Sequence, residues 1–140
     1  MGIFQATELA EQARAECLVA ELLAEFLRPP AAITVSQWAD ANRMLSGKAS
    51  SEPGPWRTDR TPYLRQIMDD LGARSSVQEV VVMFAAQLGK SESGMNWLGY
   101  IIQNAPGIAM LVMPSLDMVR RNTTVRIDPL IEATPALREL

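Results

Sequence analysis

Residues 80–102 read VVVMFAAQLGKSESGMNWLGYII: an apolar run, a short stretch of small residues, Gly89-Lys90-Ser91, then a second mostly apolar segment. Two structures fit this order. In one, the turn folds its backbone N–H groups around an anion and a helix opens at the serine with its positive end on the same anion. The lysine and a magnesium-binding hydroxyl complete a phosphate loop. In the other, Gly-Lys-Ser is an ordinary strand-to-helix turn. The full phosphate-loop pattern is Gly-x-x-x-x-Gly-Lys-Ser/Thr. Here its last three positions are present and Phe84 stands where the first glycine belongs. The pattern alone leaves both readings open.

The flanks add weight to the loop without removing the ordinary turn. SVQEVVVMF, residues 76–84, carries four valines and no breaker, the composition of a strand. Its near-continuous apolarity predicts burial on both faces, as in a central parallel strand. A helix is expected from about Ser91 to Gln103, closed by Asn104-Ala-Pro-Gly107, and IAMLVM (108–113) reads as a second buried strand. Strand, turn, helix and strand make a βαβ unit with a right-handed connection. Pro114-Ser115 then opens a helix with Asp117 in its first turn, and Asp128-Pro129 and Thr134-Pro135 mark two further helix starts.

Upstream, a helix begins near Thr34, whose hydroxyl caps it while Gln37 reaches back, and ends near Gly47. Residues 46–62, SGKASSEPGPWRTDRTP, are turn chemistry with Trp56, Arg57 and Arg60 as groups worth anchoring. Thr61 and Pro62 then start a short helix running to Gly72. On its near side, Tyr63 and Gln66 are placed to stack on and hydrogen-bond an adenine. The plainer alternative is that Tyr63 and Trp56 cover a sheet edge. Residues 6–28 form an amphipathic helix stopped by Pro29-Pro30. It either packs on its own domain or serves as a partner-binding segment, so the chain divides at residues 1–30 and 31–140.

Composition narrows the chemistry. The 140 residues hold 48% hydrophobic and 21% charged side chains, which predicts one folded domain's worth of chain. A net charge of −3 gives no global attraction to nucleic acid or an anionic membrane. With no histidine, Ser-His-Asp and Cys-His nucleophile arrangements are excluded. The single cysteine, Cys17, rules out an internal disulfide and is expected as a half-buried structural thiol in a reducing compartment. No apolar stretch reaches membrane-spanning length and no secretory signal opens the chain, so a cytoplasmic location is expected.

Several blocks together resemble the N-terminal part of lambda-type phage terminase large subunits, the motors of viral DNA packaging. They are ITVSQWADANRMLS, SSEPGPWRTDRTPYLRQIMD, VVVMFAAQLGKSE, NWLGYII and PSLDMVRRNTTVRIDPLIEATPALREL, spread from Ile33 to Leu140. The family pattern they match reads Trp-Ala-Asp, Pro-Gly-x-Trp, Thr-x-x-x-Pro-Tyr and Ala-Gln-x-Gly-Lys-Ser/Thr-Glu. The resemblance implies a partial P-loop NTPase-like α/β fold with parallel strands, binding ATP and Mg2+ through a variant Walker A loop that lacks its first glycine. In that scheme Lys90 pairs with the β- and γ-phosphates, Ser91 ligates magnesium, and Gln87, Leu88 and Gly89 supply loop backbone. Tyr63 stacks on the adenine with Gln66 beside it. Two positions depart from the family: Phe84 replaces a basic residue at the loop start, and Leu64 replaces the glutamine after Pro-Tyr.

The same resemblance makes MPSLDMVRR, 113–121, a segment coupling nucleotide state to DNA. Arg120, Arg121 and Arg126 are then either DNA contacts or a solvated helix face. The implied partners are the terminase small subunit, double-stranded DNA and the portal, in the bacterial host cytoplasm. No strand ending in the Asp that holds magnesium (Walker B) follows the loop, and no nuclease carboxylate cluster is present, since Asp69 and Asp70 are adjacent on a helix. The chain is therefore expected to be a truncated motor that has little hydrolytic activity alone, with open strand edges that invite self-association. The alternative is a non-catalytic interaction module, or a prophage remnant, that docks on a terminase partner subunit.

Overall fold

A computed structural model describes residues 2–27, 32–47 and 52–140. It falls into two units, Met1–Ala31 and Ala32–Leu140. The first is one helix, α1 (Gly2–Phe26). Its described side chains Leu18, Val19, Leu22, Leu23 and Phe26 are exposed. So is Cys17, against the expectation of a half-buried thiol. The physical reason is that a lone helix has no second layer in its own unit to bury against. The Pro29-Pro30 stop lies outside the described residues.

In the second unit, α2 (Val35–Asn42) starts on the expected capping box. The Thr34 hydroxyl accepts from the Gln37 amide at 3.3 Å, and the Gln37 side chain accepts from the Thr34 amide at 3.0 Å. The Asp69 carboxylate takes the next orphan donor, the Ser36 amide, at 3.0 Å. This helix ends earlier than expected, at Asn42, because Arg43 turns extended (φ −70°, ψ 125°) into β1 (Met44–Leu45). β1 pairs antiparallel with β2 (Gly54–Pro55), Met44 facing Pro55 and Leu45 facing Gly54. This pair makes the hydrogen-bonded sheet of the described residues.

Two 3₁₀ turns, Thr58–Arg60 and Pro62–Leu64, lead into α3 (Arg65–Asp70). Pro62 sits at the first helical position, as expected, but the Thr61 side chain makes no cap; its hydroxyl is buried without a hydrogen-bond partner. α4 (Lys90–Gln103) follows the loop. α5 (Leu116–Asn122) opens on the Ser115 hydroxyl, which accepts from the Met118 amide at 3.3 Å. It continues through a five-residue π-helical stretch, Thr123–Ile127, into α6 (Asp128–Ala133), and α7 (Pro135–Arg138) closes the chain.

The core is built from Val35, Trp38, Ala39, Trp56, Leu64, Met68, Met95, Tyr100, Leu130 and Leu137, contributed by helices on both sides of the loop in sequence. α2 and α4 cross at Gly99. A β-carbon there would lie 2.2 Å from the Trp38 ring, so only glycine lets the indole pack on the helix backbone. The indole N–H then donates to the Gln103 side chain at 2.7 Å.

The two expected strands differ from the prediction. Neither 76–84 nor 108–113 belongs to a hydrogen-bonded ladder, so the described residues contain mixed helix and one small antiparallel sheet in place of a formed parallel βαβ unit. Nor is 76–84 buried on both faces: Val80, Val82 and Phe84 are partly covered, while Val81 is 74% and Met83 88% exposed. That alternation has the period of a strand with one face covered. Ile108, Met110 and Val112 are exposed as well. A strand needs a neighbour to satisfy its backbone groups, and among the described residues neither segment is laddered to another strand.

Candidate functional site

The segment from Phe84 to Ser91 is shaped by two left-handed backbone positions. Gln87 has φ 62° and Gly89 φ 81°. Glycine at 89 is doubly required. Its φ lies where a β-carbon is disfavoured, and that carbon would fall 2.8 Å from Leu64 Cδ1, a fully buried core side chain. The Leu64 position thus presses the loop into its turn from below. α4 begins immediately afterwards at Lys90, with Gly89 as its N-cap and no side chain capping it. The first helical bond there runs from the Ser93 amide to the Gly89 carbonyl at 2.9 Å. The N–H groups of the first turn and the positive end of the helix dipole consequently face outward at the loop.

Lys90 curls back over this turn, donating from Nζ to the Ala85 carbonyl at 3.4 Å. Ser91 is exposed at the second helical position, and Leu88 is 42% exposed. From the 3₁₀ turn, Tyr63 reaches the same loop: its hydroxyl donates to the Leu88 carbonyl at 3.4 Å. Its ring meets Phe84 edge-on, with centroids 6.0 Å apart. Half of Tyr63 remains exposed. Gln66, three residues on, is also exposed at the start of α3. The structure therefore brings together Tyr63, Gln87, Leu88, Gly89, Lys90 and Ser91. Phe84, which breaks the glycine pattern, serves as the ring that Tyr63 packs against.

Beneath the loop lies an ionic cluster that the sequence reading missed. The Arg43 side chain is 2% exposed and donates to the Glu92 carboxylate at 3.2 Å. It also donates to Asn96 Oδ1 at 3.2 Å and the Met44 carbonyl at 2.8 Å. Burial pulls the Arg43 guanidinium below its ordinary value, while the Glu92 charge and hydrogen bond pull the other way. The second Glu92 oxygen accepts from Arg126 at 3.2 Å. Arg126 thus faces a carboxylate of α4, whereas Arg120 and Arg121 lie exposed on the last turn of α5. A single sequence gives no signal for this pairing, since Arg43, Glu92 and Arg126 are far apart in the chain. Among the described residues no cluster of three His, Cys, Asp or Glu side chains is placed to hold a metal, and Asp69 is occupied as the cap of α2.

Residues 50–140 match the family described as phage terminase large subunit gpA, ATPase domain. The chain belongs to that family. A terminase ATPase-domain match accounts for the loop, Tyr63 and the whole α4–α7 region, all of which fall inside it. The chain is also 27% identical, over 107 residues, to the terminase large subunit of Escherichia phage lambda. That alignment covers 76% of this chain and 16% of the phage protein, so the chain spans a minor part of this terminase's length. No solved structure matches it. Among the described residues of this terminase-family chain, no helix is long and apolar enough to cross a membrane.

Proposed function

We propose that this chain carries the nucleotide-binding front of a DNA-packaging ATPase, holding ATP through the amides of residues 87–91. The observation that carries the reading is the pair of left-handed positions, Gln87 and Gly89, directly ahead of an uncapped helix start at Lys90. That geometry suits an anion, and membership of a terminase ATPase-domain family supports phosphate as the anion. Lys90 would leave the Ala85 carbonyl for the β- and γ-phosphates. Ser91 fits magnesium, which would neutralise phosphate charge when bound with the nucleotide. Tyr63, half exposed beside the loop, and Gln66 would flank the adenine.

The remaining pieces follow the same reading. Residues 76–84 and 108–113 would be parallel strands of a P-loop sheet, which the period-2 exposure of Val80–Phe84 supports. Arg120 and Arg121, exposed on α5, are the candidates for DNA phosphates, with the small subunit and portal as further partners in a complete motor. A second reading, that α1 docks on a terminase partner subunit, is favoured by one observation: Leu18, Leu22, Leu23 and Phe26 are each more than half exposed.

Titration of the 140-residue chain with a slowly hydrolysed ATP analogue tests the first reading. Saturable binding that needs magnesium and is lost in Lys90→Ala is expected. Binding that survives Lys90→Ala unchanged would exclude the loop.

A further inference from the structure

We propose that Arg126 is a positioning residue for the nucleotide loop, acting through Glu92. This rests on the nucleotide reading above and extends it to a residue from the C-terminal helical segment. Glu92 stands two residues after the loop lysine, in the first turn of α4. A bare carboxylate there would repel a polyphosphate and leave the helix start free to shift. The structure answers both problems with two guanidiniums. Arg43 takes one Glu92 oxygen and Arg126 the other, each at 3.2 Å. One carboxylate between two cations leaves a net positive cluster behind the loop.

The two arginines differ in role. Arg43 is buried and committed to three acceptors, Asn96 and Met44 among them, so it belongs to the packing beneath the loop. Arg126 has a 37% exposed side chain and is paired with Glu92. It also sits inside the π-helical stretch Thr123–Ile127, a widened helical geometry that re-aims side chains and recurs at functional sites. Anchored on that stretch, Arg126 pins the start of α4, and with it Lys90 and Ser91, while screening the Glu92 charge from an incoming phosphate.

Two measurements on the full 140-residue chain test this. In nucleotide-free protein, hydrogen exchange at the Ser93 amide should speed up about fivefold in Arg126→Gln, the fold-change of a partly water-screened ion pair, and be restored in Arg126→Lys. With ATPγS and magnesium, Arg126→Gln should weaken binding about fivefold, and the same change made in Glu92→Gln should add nothing further. Unchanged exchange and affinity in Arg126→Gln would overturn the proposal. So would an equal loss in both backgrounds, because Arg126 would then act on the nucleotide directly. If Glu92→Gln fails to fold, the Arg126→Gln and Arg126→Lys comparison still decides. Failure of the unaltered chain to bind ATPγS would remove the nucleotide reading, while the exchange comparison would still report whether Arg126 holds the start of α4.

Discussion

At Gly89 the backbone stands at φ +81° and the missing β-carbon leaves room for Leu64. Replacing it with alanine forces a side chain into both constraints. Gly89→Ala is expected to cost about 1–3 kcal/mol of stability, from left-handed strain and overpacking together. Thermal unfolding would measure the stability loss, and nucleotide titration should show weakened binding alongside it. Arg43 is a second single-residue test. Its fork satisfies Glu92, Asn96 and the Met44 carbonyl from a nearly dry position. Arg43→Ala leaves Asn96 and the Met44 carbonyl without this donor and Glu92 with Arg126 alone, and should destabilise the fold by about 2–4 kcal/mol. Arg43→Lys should recover little of it in the same denaturation measurement, because an ammonium lacks the planar fork.

At the scale of elements, the α2–α4 crossing depends on Gly99. An added methyl would meet the rigid Trp38 ring at 2.2 and 2.7 Å, so Gly99→Ala must separate the helices or displace the indole. A loss of about 1–3 kcal/mol in chemical denaturation is expected, with the fluorescence of Trp38 reporting the displacement. Local signals made much of this layer readable. The Thr34–Gln37 capping box, the Pro62, Ser115 and Pro135 helix starts and the Gly-Lys-Ser helix opening all lie where short-range chemistry places them, whereas Pro129, expected to open a helix, sits in helical backbone that runs on from α5. Two features were not readable. The β1–β2 pair is only two residues long on each side, too short to show a period. Thr61 looked like a cap, yet its neighbour Pro62 begins a 3₁₀ turn in which the hydroxyl finds no partner. The start of α4 was legible from Gly-Lys-Ser, whereas the Arg43–Glu92–Arg126 cluster depends on tertiary contacts between residues far apart in the chain.

At the scale of the whole molecule, two apolar strand-like segments among the described residues stand exposed without ladder partners. Ile108, Met110 and Val112 lie in an uncharged stretch between Pro106 and Pro114, and Val81 and Met83 are similarly open. The valine-rich run at 76–84 has the composition of a strand but forms no ladder among the described residues, because pairing and burial belong to the neighbours a strand acquires, and composition cannot supply them. Such edges template pairing with other chains. The protein is therefore expected to self-associate increasingly with concentration in sedimentation, and Met110→Lys with Val112→Lys should reduce this. The core of the described residues, by contrast, is built from residues of the second unit. Removal of residues 1–31 should leave a cooperative thermal transition in place.

The central claim is that the amides around the Gln87–Ser91 turn enclose a phosphate at the start of α4. Backbone amide NMR shifts on adding an ATP analogue with magnesium read those groups individually. The account predicts saturable shifts concentrated on Leu88, Gly89, Lys90 and Ser91, absent in Lys90→Ala. Saturable shifts centred elsewhere in the chain, or none at these four amides, would contradict it.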